Sequence, residues 1–276
     1  MEKILILGGS GLVGRALCNE LKNEYKVYGT YNNRQDYIEN VEMSKFQVED
    51  SEKIKDILSN VEPKKIIMSL RGDFEKEFEV IKYVTEYSKK TNAKLYYIST
   101  WNVFDAHPNK IYHENDERLS DTEYGNFKIK AEDFLMNNIK DNCTILRLTM
   151  IWGKNSPRLN KLKDDLESNE PIEITTNLFL NNNSDEILAK QIKYVLNNYS
   201  SGIFHLGSSD EISQKEFVKA IVDRLGYKDV NFNETIYGDG KCICMLGISD
   251  RLPKELQVSN EDIINNILES EIEAIN

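Results

Sequence analysis

The sequence has few of the residues that build disulfide frameworks or zinc sites, and no long apolar run. It contains only four cysteines and three histidines in 276 residues, with no C-x-x-C pair and no plausible zinc quartet. Cys242 and Cys244 alternate within an apolar stretch, which favours reduced thiols in a strand over a redox pair. The apolar run at residues 4–7 is far too short for a signal sequence or a membrane span. We therefore expect a cytoplasmic protein without a metal site.

The sequence also lacks net positive charge. Its 35 Lys and Arg residues are outnumbered by 46 Asp and Glu residues, which gives a formal net charge of −11. Because the acidic residues are spread along the chain, binding to nucleic acid or to an anionic membrane is disfavoured. A small molecule is the expected partner, and the sequence leaves open whether the protein forms a homodimer.

Prolines are scarce as well, with five in the chain, and no obvious linker or repeat divides the sequence. Apolar runs alternate with amphipathic segments from the start, which is the pattern of parallel strands joined by crossover helices. Strands are predicted at residues 4–7, 25–30, 65–69, 94–99, 144–148 and 203–206. Helices are predicted at residues 12–22, 51–59, 74–90, 124–137 and 185–197, and a further helix follows the capping box of Ser213 and Glu216.

A glycine-rich loop separates the first predicted strand from the first helix, with the spacing G-x-x-G-x-x-G. Glycine permits a positive φ and lets the backbone approach a pyrophosphate, which free N–H groups and the positive end of the helix can bind. In this setting, dinucleotide binding is favoured over a plain tight turn. The expected cofactor contacts in the loop are Gly8, Ser10, Gly11, Leu12, Val13 and Gly14.

The choice between NADP and NAD depends on the end of the second strand. No carboxylate stands where an NAD enzyme would hold the adenosine ribose. Tyr31 occupies that position and Arg34 follows closely, which favours the 2′-phosphate of NADP. NAD stays open, because Asp36 could reach back and Arg34 could be an ordinary surface charge.

The alternation of strands and helices weakens after about Ile151, where polar segments at residues 181–184 and 237–240 interrupt it. We predict an α/β fold, a doubly wound parallel Rossmann sheet with a small interleaved C-terminal substrate-binding lobe. Residues 1–150 are expected to form the NAD(P)-binding domain, with a late strand near residues 202–207 returning to the sheet. Residues 151–276 are expected to form mainly the substrate-binding lobe.

Tyr124 and Lys128 open a predicted helix at i, i+4 spacing, which places phenol and ammonium on one face. A cation beside a phenol favours its ionised form, so this tyrosine is a candidate to donate a proton to a carbonyl oxygen or to accept one. An isolated Y-x-x-x-K is common on surface helices. The position directly after the strand that ends in Ser99 and Thr100 favours the catalytic interpretation.

Together, these motifs resemble the extended short-chain dehydrogenases, most closely the branch of dTDP-4-dehydrorhamnose reductases. The resemblance covers nearly the whole chain and is dense as far as Gly153. It implies that Thr100 hydrogen-bonds the substrate carbonyl, that Tyr124 donates the proton, and that Lys128 also holds the nicotinamide ribose. The implied reaction is hydride transfer from NADPH to the 4-keto group of a nucleotide-activated deoxysugar. The matching segments are Gly8-x-x-Gly11-x-x-Gly14, Ile98-Ser-Thr100, Val103-Phe-Asp105, Tyr112-x-Glu114-x-Asp116 and Tyr124-Gly-x-x-Lys128.

The sequence departs from this branch on the side where substrate is expected. Trp101 and Asn102 replace an acid and an aromatic residue, and Met150 stands where an aromatic residue is common. We expect these three residues to contact substrate, although Trp101 could instead be a core residue. Glu77 falls near the position of a structural asparagine, and Arg71 either meets a phosphate or is a solvated loop charge.

The departures leave two alternatives to a reductase open. One is an epimerase that retains NAD, which the missing acid after the second strand disfavours. The other is a non-catalytic regulatory protein that binds a dinucleotide or nucleotide sugar. The reductase interpretation predicts a nucleotide ketosugar other than dTDP-4-dehydrorhamnose as substrate.

Overall fold

The computed structural model describes residues 1–33 and 37–272. The strands, in chain order, are β1 (Lys3–Leu7), β2 (Lys26–Tyr31), β3 (Val41–Lys45), β4 (Lys65–Met68), β5 (Lys94–Thr100), β6 (Asn109–Tyr112), β7 (Cys143–Leu148), β8 (Met150–Trp152), β9 (Ile172–Thr175), β10 (Leu178–Leu180), β11 (Asn182–Ser184), β12 (Gly202–Leu206), β13 (Ile212–Ser213), β14 (Phe232–Thr235) and β15 (Cys242–Leu246). The α-helices are α1 (Leu12–Leu21), α2 (Lys53–Val61), α3 (Phe74–Thr91), α4 (Glu123–Ile139), α5 (Pro157–Glu167), α6 (Asp185–Asn198), α7 (Gln214–Arg224) and α8 (Asn260–Ile272).

A seven-stranded sheet in the order β12-β7-β5-β4-β1-β2-β3 forms the centre of the fold, and its neighbouring strands pair in parallel. Its inner strands are mainly apolar because helices cover both faces. Helices α2, α3 and α4 pack on one face, and α1 and α6 pack on the other. This arrangement confirms the predicted doubly wound Rossmann fold.

The predicted strands and helices correspond to observed elements, with ends that differ by one or two residues. The capping box of Ser213 and Glu216 is present at the start of α7. Strand β3 was not predicted, because Glu42, Ser44 and Lys45 are exposed at the sheet edge and leave no apolar run. An edge strand carrying charged residues avoids pairing with other molecules.

The C-terminal half has its own apolar core, in which α5, α7 and α8 pack around Trp152 and Phe217. The polar segment at residues 181–184 is buried rather than exposed. Its polar groups find hydrogen-bond partners through the pairing of β11 with β8 and through side-chain bonds. One of these bonds runs from Trp152 Nε1 to Asn182 Oδ1, at 3.0 Å. The assignment of residues 1–150 and 151–276 to cofactor and substrate stays a prediction.

Cys242 and Cys244 lie in strand β15, as predicted, with their sulfurs 3.7 Å apart, and all four cysteines are free thiols. Within residues 1–33 and 37–272, no group of three or more His, Cys, Asp or Glu residues is placed to hold a metal ion. No helix in the same part of the chain is long and apolar enough to cross a membrane.

Candidate active site

The glycine-rich loop packs so closely at Gly8 and Gly14 that neither position has room for a side chain. Gly8 has φ +85°, and a Cβ added there would lie 2.3 Å from the carbonyl oxygen of Ser69. A Cβ on Gly14 would lie 2.1 Å from the carbonyl oxygen of Gly8. Thr30 anchors the loop, since its hydroxyl accepts from Gly8 N at 2.9 Å and its carbonyl accepts from Ser10 N at 3.2 Å.

The loop leads into the N-terminus of α1, which is open to an anion. Gly11 is the N-cap residue and therefore supplies no capping side chain, and the first turn contains no acidic residue. The N–H groups of Leu12 and Val13 thus lie at the positive end of the helix dipole. A close-packed glycine cradle beside such a terminus fits the pyrophosphate of a dinucleotide.

The predicted adenosine end of the site is only partly described. Tyr31 is the half-buried last residue of β2, next to the sheet edge where α1 begins. Arg34 and Asp36, on which the choice between NADP and NAD was based, lie outside the described residues.

Thr100 is the last residue of β5, at the same carboxyl edge of the sheet. Its hydroxyl donates to Asn102 Oδ1 at 2.9 Å, and it caps the short 3-10 helix Trp101–Phe104. Asn102 donates in turn to Asp105 Oδ2 at 3.2 Å. A carbonyl ligand would therefore have to take the Thr100 hydroxyl from Asn102.

Tyr124 lies in the first turn of α4, whose N-terminus is capped by Thr122. The next residue, Gly125, packs against the preceding loop, where an added Cβ would lie 2.3 Å from the carbonyl oxygen of Asn102. This close approach places the half-buried Tyr124 next to the segment that begins at Thr100. The guanidinium carbon of Arg71 lies 6.0 Å from the Tyr124 ring centroid.

Lys128 is one helical turn further along α4 and is buried, with its Nζ 5.8 Å from the Tyr124 ring centroid. Its ammonium donates to Glu77 Oε1 at 3.2 Å, to the Tyr97 hydroxyl at 3.0 Å and to the Ile98 carbonyl at 3.3 Å. Burial by itself lowers the pKa of Lys128, but Tyr97 and Glu77 outweigh it, and the pKa is raised overall. Lys128 is therefore a protonated cation.

The sequence did not predict that Glu77 would meet Lys128, although it marked the position as a departure from the family. Burial raises the pKa of the Glu77 carboxyl, and the positive charge of Lys128 opposes that rise. The sequence alone does not indicate that a glutamate in the first turn of α3 faces another helix. The pairing arises only when α3 and α4 pack together on one face of the sheet.

Of the three predicted substrate residues, the structure brings two together. Trp101 and Asn102 line a cavity of about 590 Å³, together with residues such as Asp105, Tyr237 and Lys241. The indole Nε1 of Trp101 is buried without a hydrogen-bond partner in the described structure. Met150 lies in β8 and packs against the core of the C-terminal half.

Arg158, in the first turn of α5, was not singled out in the sequence, yet its exposed side chain interacts electrostatically with Arg71. Partial desolvation and the positive charge of Arg71 lower the pKa of Arg158. Arg71 lies next to Tyr124, and the like charges of Arg71 and Arg158 make this side of the site attractive to an oxyanion.

Comparison with known proteins identifies the family. The RmlD substrate binding domain matches residues 73–237, which is more than half of the chain. The spore coat polysaccharide biosynthesis protein SpsK of Bacillus subtilis is 24% identical over 240 residues, which cover 82% of this chain and 80% of SpsK.

Solved structures share the whole fold. A dTDP-4-dehydrorhamnose reductase from Bacillus anthracis in complex with NADP is 17% identical, with a TM-score of 0.77 and coverage of 97% of each chain. The Bordetella bronchiseptica enzyme WbmH in complex with NAD+ is also 17% identical, with a TM-score of 0.80 and coverage of 99% of each chain. The match at residues 73–237 confirms the predicted resemblance, and the chain belongs to the RmlD substrate-binding-domain family of oxidoreductase-type enzymes.

Proposed function

We propose that this protein reduces the 4-keto group of a nucleotide-activated deoxysugar with a nicotinamide dinucleotide as the reductant. One observation carries the proposal: Tyr124 and the buried Lys128 share one face of α4, beside Thr100 at the carboxyl edge of the sheet. The glycine-rich loop opens at the same edge, so cofactor and substrate would meet there. The similarity to SpsK, a polysaccharide biosynthesis protein, and to the B. anthracis dTDP-4-dehydrorhamnose reductase supports a sugar-nucleotide substrate.

The residues divide the chemistry among them. Thr100 turns its hydroxyl from Asn102 to the substrate carbonyl, and Tyr124 donates its proton to the carbonyl oxygen as the carbon accepts hydride. Lys128 would exchange one of its present acceptors for the nicotinamide ribose and would stabilise the negative charge that remains on the phenol oxygen. The bound cofactor supplies the hydride. A general acid in this position typically contributes about 10²–10⁴-fold to the rate.

The cofactor we propose is NADP. The N-terminus of α1 with Gly8, Ser10, Gly11, Leu12, Val13 and Gly14 would bind the pyrophosphate. Tyr31 would contact the adenosine ribose and Arg34 its 2′-phosphate. Support comes from the sequence after β2, where no carboxylate occupies the ribose position, and from the NADP in the B. anthracis reductase structure. Residues 1–150 would thus hold the cofactor.

The substrate would lie mainly against residues 151–276 and contact Trp101, Asn102 and Met150. Arg71 and Arg158 suit an anionic part of the ligand, such as the diphosphate of a nucleotide sugar. Because the residues around the preserved Thr100 and Tyr124 differ from the family pattern, we propose a ketosugar other than dTDP-4-dehydrorhamnose. A site built to hydrogen-bond particular hydroxyls can discriminate by up to about 10⁴ against sugars that lack them.

The test is NADPH consumption against a panel of nucleotide-linked 4-ketosugars, with kcat/KM compared for each. We expect turnover of one or more members and a poor reaction with dTDP-4-dehydrorhamnose. If that precursor is the best substrate, the departures at Trp101, Asn102 and Met150 are neutral. If NADPH binds but no sugar is reduced, a regulatory binding role replaces the proposed reductase.

A further inference from the structure

Asp105 belongs to a motif of the sequence to which the proposed function assigns no role. It is half-buried and is the C-cap residue of the short 3-10 helix Trp101–Phe104, which follows Thr100. Four hydrogen-bond donors surround its carboxylate: Asn102 Nδ2 at 3.2 Å, the Ser120 hydroxyl at 2.6 Å, the Asp121 backbone N–H at 3.0 Å and the Thr122 hydroxyl at 2.7 Å. A carboxylate offers about four acceptor positions and no donor. The side chain therefore matches its surroundings.

The bond to Asn102 connects Asp105 with the reacting end of the site. Because Asn102 Nδ2 faces the carboxylate, its Oδ1 faces Thr100 and accepts the Thr100 hydroxyl at 2.9 Å. The backbone N–H of Asn102 donates to the same hydroxyl oxygen at 3.3 Å. This second bond does not use the hydroxyl proton, so it can hold the oxygen in place while the proton turns to a substrate carbonyl. Asp105 thus fixes Asn102, and Asn102 fixes the Thr100 hydroxyl.

The same carboxylate also bonds the loop that precedes α4. The Thr122 hydroxyl donates to Asp105 and accepts from Gly125 N at 3.1 Å, which caps the helix. Ser120, the other hydroxyl bonded to Asp105, lies against Gly125, where an added Cβ would collide with the serine oxygen. Tyr124 is the residue before Gly125, in the first turn of α4. Asp105 therefore also fixes the start of the helix that carries Tyr124.

We propose that Asp105 is a positioning residue that holds Thr100 and Tyr124 in register, so that both hydroxyl groups reach one substrate carbonyl. The inference rests on the proposed function, in which Thr100 hydrogen-bonds the carbonyl and Tyr124 protonates it. The two residues lie on different elements, β5 and α4, and a displacement of about 1 Å between reacting groups can cost about 10²-fold in rate. Asp105 acts through Asn102 on one side and through the loop before α4 on the other.

The first measurement is kinetic and uses a double-mutant cycle. Asp105→Ala removes the acceptor of all four donors, so kcat for a reducible nucleotide sugar should fall about 10- to 100-fold, with NADPH affinity nearly unchanged. Thr100→Val removes the hydroxyl through which Asp105 acts on one side. In the Thr100→Val background, the loss of kcat caused by Asp105→Ala should therefore be smaller by about fivefold or more. A merely structural role would give the same loss in both backgrounds.

The second measurement needs no substrate. In protein labelled with ¹⁵N-asparagine, the Asn102→Ala spectrum identifies the side-chain amide signal of Asn102, and NMR follows the exchange of its protons with water. Asp105→Ala should speed this exchange by about fivefold or more, because a hydrogen bond to a carboxylate is lost. Asp262→Ala is the matched control, since Asp262 accepts from the N–H and the hydroxyl of Ser259 at the exposed start of α8. This control should leave both the Asn102 exchange rate and kcat unchanged.

Asp105→Ser, which also removes the carboxylate but keeps a polar side chain, replaces Asp105→Ala if the alanine variant does not fold. Equal exchange at Asn102 in the wild type and the variant would overturn the proposal, as would kinetic losses that simply multiply in the cycle. If the wild type reduces no sugar, the proposed function fails, and the exchange measurement by itself decides whether Asp105 fixes Asn102. Reduction by the Asp105 variant at the wild-type rate would refute this proposal alone.

Discussion

The proposed cofactor edge and the proposed substrate side of this site differ in which part of the chain forms them. The cofactor edge consists of backbone, with glycines packed at contact distance around Gly8 and an open helix terminus at Gly11. The substrate side consists of side chains, including Trp101, Asn102 and Arg71. Backbone geometry permits little variation, whereas side chains can change without altering the fold. The difference explains why one edge keeps the family pattern and the other departs from it.

The largest expected effect concerns Tyr124, where the two sides meet. Tyr124→Phe should lower kcat by about 10²-fold or more, because the proton donor is lost. Cofactor affinity should change little, since Lys128 and the glycine-rich loop are untouched. Steady-state kinetics and calorimetric titration with NADPH measure the two quantities. The control is Tyr83→Phe, which removes a hydroxyl bonded to Glu52 on the protein surface. Activity of Tyr124→Phe within a few-fold of wild type would disprove the mechanism.

Two substitutions, Gly14→Ala and Gly11→Ala, test whether close backbone contacts fix the conformation of the glycine-rich loop. Gly14→Ala should destabilise the protein by about 1–3 kcal/mol, the usual cost of overpacking, because its Cβ would lie 2.1 Å from Gly8 O. Gly11→Ala should be far milder for folding, since its Cβ would lie 3.3 Å from the same oxygen. Urea unfolding measures both. Equal stability of the two variants would show that the loop adapts more freely than its packing indicates.

The smallest expected effect is on the substrate side. Arg71→Gln and Arg158→Gln should each raise KM for a nucleotide sugar about 5- to 10-fold, equivalent to about 1 kcal/mol for a partly exposed charge-assisted hydrogen bond. Binding of NADPH should be nearly unaffected. Arg224→Gln, which removes an exposed arginine paired with Glu261, is the matched control. An equal loss of NADPH affinity would place these arginines on the cofactor instead.

The sequence predicted those parts of the molecule that depend on local pattern. The central strands, the helices between them and the glycine-rich loop follow from apolar periodicity and glycine spacing. Strand β3 was not predicted because Val41 and Met43 alternate with exposed polar residues and leave no apolar run, and because it pairs with β2 at the edge of the sheet. The burial of Asn182 and Asn183 was not predicted for a related reason, since their amides are satisfied by side chains of other elements, Asn260 in α8 and Gln191 in α6.

The same distinction applies within the site. Tyr124 and Lys128 were predictable because one helical turn joins them. The contacts of Lys128 with Glu77 and Tyr97 span 51 and 31 residues, and they exist only because α3, α4 and β5 pack together. The proximity of Arg71 and Arg158 likewise depends on how the C-terminal half meets the sheet. No spacing rule in one sequence encodes such pairs.

Deuterium transfer tests the proposed reduction most directly. The wild-type protein would be given a nucleotide-linked 4-ketosugar and NADPH deuterated at the transferable position of the nicotinamide, and the product would be examined by NMR. We predict one deuterium on the new carbinol carbon and one NADP+ formed per sugar reduced, with both lost in Tyr124→Phe. A sugar inverted at that carbon without deuterium and without net cofactor consumption, or no conversion of any sugar despite bound NADPH, would contradict it.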